Sequence, residues 1–292
     1  MGHCHASLLA SRGVLRVRGA DARKYLQGLI TNDIGKALGA DAIHAGLLSP
    51  QGKILFDFFV VPAAGDGFLI DVAQDKAEEL LKRLAFYRLR AQVEIAEEPS
   101  LVVAVAWGGT PRQPEGAIVY ADPRLPELGF RLLAPKGTSA ADFGCEPAPE
   151  EDYHAFRIRQ GVPEGGRDYA FGEAFPHEAL FDQLHGVDFA KGCYVGQEVV
   201  SRMEHRGTAR KRIVPVEGET PLPASGTDIE VDGVPIGSLG SVSGASGLAL
   251  IRLDRAEEAL ASGKKLNAGG IKIALRRPAF LRFAVPIAGA LA

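Results

Sequence analysis

KGCYVGQE, residues 191–198, sets a thiol between two glycines, two positions after a lysine and just ahead of a helical pattern. A thiol acts as nucleophile or metal ligand only as thiolate, and nearby cations or a helix N-terminus favour that form. Lys191 and the helix expected from about Gly196 supply both conditions. Gly192 and Gly196 would let the backbone come close to a ligand. Cys193 and Lys191 are therefore the candidate catalytic residues. The bland account is a small buried hydrophobe flanked by turn glycines, and residue types alone leave the two readings even.

Downstream, GQEVVSRMEHRG suits a helix with Val199, Val200 and Met203 on one face, a Glu198–Arg202 pair at i,i+4 and Gly207 as its stop. From Arg210 the texture changes to short β-rich runs broken by Gly, Pro, Ser and Asp, which suggests a small β-barrel or sandwich. One helix, DRAEEALASG, and a final strand pair, IKIALRR with AFLRFAV, complete it.

Upstream, EDYHAFRIRQG reads as a short helix stopped at Gly161, and the Gly-, Pro- and acid-rich stretch 161–195 is long enough to suggest function. GVLRVRG alternates like a strand, and ADARKYLQGLITND follows at helical spacing. HAGLLSPQGKILFDFFVV is a hairpin whose Pro50 and Gly52 suit positions i+1 and i+3 of a type I turn. GFLIDVA, a helix through Ala77, Leu80, Leu81 and Leu84, then VEIAEE, LVVAVAW, AIVYAD and GFRLLAP follow. The expected domains are 1–209, divisible at 95/96, and 210–292.

With 292 residues, 46% of them hydrophobic, the chain can bury more than one core. Its formal net charge of −3 raises no bulk positive field, so neither nucleic acid nor an anionic membrane is an expected partner. No apolar run approaches the ~20 residues of a membrane helix. The start, MGHCHASLLASRGVLRV, lacks the pattern of a secretory or transit segment, so a cytoplasmic, reducing location is expected. Cys4, Cys145 and Cys193 are few, odd in number and far apart, and this reading excludes a disulfide framework or CxxC site. His3, Cys4 and His5 read as a frayed tail, and no metal ligand set is expected. His177 and His185 are the histidines nearest the thiol, but no cysteine-hydrolase signature surrounds it. Arg202, Arg206, Arg210, Lys211 and Arg212 are either a solvated basic face or an anion site.

KGCYVGQEVVSRMEHRGTARKR, with FPHEALFDQL before it and GSLGSVSGASGLALIRLD after it, resembles the YgfZ family of folate-binding proteins. That family includes mitochondrial Iba-type iron–sulfur assembly factors and is related to the glycine-cleavage T-protein, a tetrahydrofolate-dependent aminomethyltransferase. ADARKYLQGLITNDI and LLSPQGKILFDFF extend the similarity over nearly the whole chain, and the KGCYxGQE block is its specific part. The resemblance implies an α+β fold: a duplicated ferredoxin-like folate-binding region followed by a small C-terminal β-barrel. It implies help in assembling or repairing iron–sulfur clusters in client enzymes such as radical-SAM tRNA-modifying enzymes, with tetrahydrofolate or a derivative bound.

The signature positions are Lys191, Gly192, Cys193, Gly196, Gln197 and Glu198, then Arg202. A folate site needs a carboxylate for the pterin, a stacking surface and a cation; Asp57, Glu178 or Glu198 is the carboxylate, Tyr194 the platform and Arg202 the cation. The T-protein's paired aspartates read Phe56-Asp57 here, and the glutamate of its RLEAG segment reads Arg159, which argues against aminomethyl transfer. The alternatives are an aminomethyltransferase or demethylase, and a folate sensor or tRNA-contacting scaffold. Three cysteines cannot supply four thiolates to a cluster, so any cluster is shared with a partner.

Overall fold

The SPQG turn closes as the sequence predicts: Gly52 N–H donates to Ser49 O at 2.8 Å, and Gly52 takes φ +79°, a left-handed conformation glycine adopts without steric cost. In the computed structural model, residues 3–287 other than 66 and 208 are described. In chain order the elements are β1 (His5–Leu8), β2 (Arg12–Arg18), α1 (Ala22–Gln27), β3 (Ile43–Leu48), β4 (Ile54–Ala63), β5 (Gly67–Ala73), α2 (Ala77–Tyr87) and β6 (Glu94–Glu97). Next come β7 (Leu101–Trp107), β8 (Ile118–Ala121), β9 (Phe130–Pro135), β10 (Glu146–Pro147), α3 (Glu150–Gln160) and α4 (Gln197–Arg206). The last are β11 (Lys211–Gly218), β12 (Asp228–Val231), β13 (Val234–Ser243), β14 (Ser246–Arg252), α5 (Leu253–Ala261), β15 (Leu266–Ala268) and β16 (Ile271–Leu275).

The chain divides into two compact units. Residues 1–153 with 184–197 form the first, and 154–183 with 198–292 the second. The first unit holds two five-stranded sheets, ordered β3-β4-β5-β2-β6 and β10-β1-β7-β9-β8. Alternation in β4 sends Phe56, Phe58 and Val60 into one core with Leu26 and Ile30 and, from α2, Leu80 and Leu84. Asp57 and Phe59 therefore face the opposite side of that sheet. The second unit holds a closed barrel, β11-β14-β13-β12-β15-β16. Repeated α+β sheets followed by a barrel are the expected fold class.

Arg157 of α3 ties the second unit together. Its guanidinium is buried and donates to Val162 O at 3.0 Å, Asp168 Oδ2 at 2.7 Å and Ser241 Oγ of β13 at 2.8 Å. Gly161 ends α3 at φ +81°, and a Cβ there would lie 2.8 Å from Pro215 and 3.0 Å from Pro278, so only glycine lets the helix end approach the barrel this closely.

Three expectations are corrected. AFLRFAV forms no strand: β16 is already paired on both edges, with β15 and β11, so the closed barrel leaves it no edge. The residues around His5 are not a frayed tail, because β1 pairs with β7 and β10. That pairing brings Cys4 and Cys145, 141 positions apart in sequence, to a Cα–Cα distance of 4.7 Å, where they form a disulfide. Sequence separation was a poor guide because parallel pairing joins distant segments.

Candidate functional site

In the first unit, residues 184–197 run as a strap against the first sheet, held by ITND in the segment after α1. Thr31 N–H donates to Gly46 O at 2.9 Å, and the Thr31 hydroxyl donates to Gly186 O at 2.6 Å while accepting Gly46 N–H at 2.8 Å. The Asn32 amide bridges His44 O and His185 O at 2.8 and 2.7 Å. Asp188 N–H donates to Thr31 O at 3.0 Å, and its carboxylate accepts the N–H groups of Ala190 and Lys191 and pairs with Lys36 at 2.8 Å. Burial works against its charge, but Lys36 and the two N–H donors hold the carboxyl below its usual range.

Lys191 is the anchor of the loop that follows. Its side chain is buried, and Nζ donates to Gln27 O, Ile30 O and Asn32 O at 2.8, 2.5 and 2.9 Å, carbonyls at the end of α1 and just past it. An ammonium has three donors, and all are committed. The Tyr194 ring lies 5.1 Å from Nζ. Burial lowers the Lys191 pKa to about 8, with Asp33 and Asp188 acting in the other direction. The Lys191 ammonium is thus directed at main-chain carbonyls, and Tyr194 is buried beside it.

Between these two buried residues, Gly192 and Cys193 are exposed, and Cys193 is a free thiol. With Cys4 and Cys145 joined, it is the single free sulfhydryl of the chain. The loop is also fixed from beyond: Gly196 at φ +81° packs on the hairpin turn, where a Cβ would stand 2.5 Å from Ser49 O and 3.2 Å from Gly52 Cα. Gln197 begins α4, its N–H 3.3 Å from Tyr194 O. Glu198 and Arg202 are both exposed on α4, and no ion pair joins them among the described residues, which corrects the expected i,i+4 pair.

Asp57 is buried opposite Gly46, on the sheet face that also carries His44 and Phe59. A polar cluster that sequence reasoning missed lies on this face. Asp71 accepts Arg12 Nε at 2.7 Å and Arg131 Nη2 at 2.5 Å, and Asp122 accepts both Nε and Nη2 of Arg124 at 2.9 and 2.7 Å. All three guanidiniums stand over the Phe59 ring, at 5.7, 4.1 and 4.8 Å for Arg12, Arg131 and Arg124. Burial, reinforced by Arg124, pushes the His44 pKa down to about 3. No local motif announces this set, since its members come from separate elements.

In the second unit, the Glu178 carboxylate accepts Phe175 N–H at 2.8 Å, a turn cap that ties up one oxygen. His177, Asp182 and Glu204 have ligand atoms within 4.8 Å of one another, the one metal-compatible group among the described residues. Arg212 Nη1 already holds both Asp182 oxygens at 2.7 Å, and Glu204 accepts from or donates to His177 Nε2 at 2.9 Å according to protonation. These pairs tie the 175–183 segment to α4 and β11.

The repeated sheets and barrel define a protein of T-protein architecture. The structure matches the crystal structure of the glycine cleavage system aminomethyltransferase T from Bartonella henselae with a TM-score of 0.76, over 96% of this chain and 87% of that one, at 14% identity. That likeness shows the fold alone. Residues 210–283 match the CAF17 C-terminal beta-barrel domain. The iron-sulfur cluster assembly factor IBA57, mitochondrial, of Homo sapiens is 36% identical over 273 residues, covering 83% of this chain and 76% of the relative. Its Mus musculus counterpart is 34% identical, covering 84% and 76%. The chain belongs to the IBA57 family of iron–sulfur cluster assembly factors. These relatives are named as mitochondrial, which overturns the expected cytoplasmic location. No helix among the described residues is long and apolar enough to cross a membrane.

Proposed function

We propose that this chain serves iron–sulfur cluster assembly or repair by presenting Cys193 as a thiolate ligand to a cluster shared with a partner. The carrying observation is a free, exposed thiol on a loop fixed at both sides, by Lys191 on three carbonyls and by Gly196 on the hairpin turn. Coordination replaces the thiol proton with iron, and the remaining ligands come from the partner, because one thiol cannot complete a cluster. Iron–sulfur enzymes, including radical-SAM tRNA-modifying enzymes, are the proposed clients.

The proposed tetrahydrofolate site is the Asp57 face of the first sheet. Asp57 would supply a buried carboxylate to accept the pterin's N–H groups. When bound, the folate would supply a reduced pterin; the chain's part is to orient that ring and exclude water. Exposed Arg202 is the proposed contact for an anion, with Gln197 and Glu198 beside it on α4. Aminomethyl transfer is not favoured. Phe56, at the first position of the T-protein's aspartate pair, is 1% exposed in the helix-side core, so the second carboxylate has no counterpart.

The test is restoration of client-enzyme activity in a strain lacking this chain. Wild type should restore it and Cys193→Ala should not; full restoration by Cys193→Ala overturns the role of the thiol. In parallel, Asp57→Asn should weaken tetrahydrofolate binding about tenfold or more, as expected for loss of a charge-assisted pair. Unchanged binding would remove Asp57 from the site.

A further inference from the structure

The second unit contains a cleft of about 280 Å³ between the C-terminal end of α3 and the barrel, remote in its residues from everything assigned above. Arg159, Arg276 and Arg277 line it, with Glu217 and Ser246 at one side and an apolar floor that includes Pro215 and Pro278. From these residues we infer that the cleft is an anion site for a small phosphate-bearing molecule.

Charge comes first. Three arginines line the cleft against one acidic residue, Glu217, and the helix C-terminus, which contributes roughly half a negative charge. The balance is clearly positive in a chain whose formal net charge is −3. The cations are also available. Arg159 has neither hydrogen bond nor ion pair among the described residues. Arg277 makes one long contact, Nη2 to Leu281 O at 3.2 Å, and Arg276 holds Glu217 at 3.2 Å with both side chains well exposed. Such loose pairs give way to a better acceptor.

The frame behind them is rigid. Arg276 N–H donates to Pro215 O at 2.9 Å, and Gly161 allows the end of α3 to close on Pro215 and Pro278. Size and geometry then choose the ligand class. The volume is at the lower limit of small-molecule pockets, enough for a phosphoryl or pyrophosphoryl group with a small appendage. Several planar forks suit the three or more oxygens of a phosphate, whereas a carboxylate fills only one. Ser246 Oγ, now donating to Glu217 at 3.0 Å, is a further donor on the rim.

Calorimetric titration of the full chain with sodium pyrophosphate tests the site. Wild type should bind saturably and lose affinity as salt is raised. Arg159→Ala and Arg277→Ala should each weaken binding about tenfold or more, and Arg159→Lys by less. Arg255→Ala, on α5 outside the cleft, should change nothing. Tetrahydrofolate titration of Arg277→Ala and the melting temperatures of all the variants should be unaltered, which separates this site from the folate reading and from misfolding. Absence of pyrophosphate saturation, binding unchanged in the Arg159→Ala/Arg277→Ala double variant, or tighter binding of a triglutamate peptide than of pyrophosphate would overturn the proposal.

Discussion

Lys191 is a cation whose partners are all main-chain oxygens. Lys191→Met keeps the stem but leaves three acceptors without their donor. The expected cost is on the order of 2–4 kcal/mol, read as a lower melting temperature, with faster alkylation of Cys193 as the loop loosens. His44 provides a pH prediction. Its folded pKa, near 3, lies below the unfolded value of about 6.5, so below pH 6.5 the unfolded chain binds a proton the folded one does not. Stability contributed by neutral His44 is therefore lost as pH falls from 6.5 towards 3, and denaturant melts of His44→Asn should show a flatter acid limb. At this scale the sequence singled out Cys193 as a candidate and the residues that flank it. It did not indicate where the Lys191 side chain points, since a long flexible cation two positions from a thiol has many acceptors within reach.

The loop and the SPQG hairpin meet at Gly196. Gly196→Ala places a Cβ 2.5 Å from Ser49 O at φ +81°, so the loop must move or the turn must yield. A loss of about 1–3 kcal/mol from backbone strain alone is expected in chemical denaturation. Client-enzyme activity should fall with it, even where folded protein remains. Most elements were legible because their apolar period is clear: the alternation in β2, the spacing in α2, the turn chemistry between β3 and β4. β1 and β10 were not, being four and two residues long and defined only by their pairing. AFLRFAV misled for the converse reason, an apolar strand-like run without a free edge to join. The Arg12, Asp71, Asp122, Arg124 and Arg131 cluster also gave no local signal, because each charge reads as surface until the sheets are assembled.

For the molecule as a whole, the Cys4–Cys145 bond joins segments 141 positions apart, and by loop entropy its removal should cost on the order of 5 kcal/mol. Unfolded without reductant, the chain should show one thiol to a chromogenic reagent; after reduction it should show three. Three thiols without reductant would mean that the bridge does not form. Each sheet of the first unit also has two borders, and three of the four are poor templates for another strand. β6 is a four-residue EIAE, β10 is two residues ending in proline, and β8 spans four residues. The fourth, β3, is six residues long and buried throughout, and it is the border that Ile30, Thr31 and Asn32 cover. The ammonium that positions the thiol loop thus also holds a lid over the longest aggregation-prone edge. Loosening that lid would favour self-association before global unfolding.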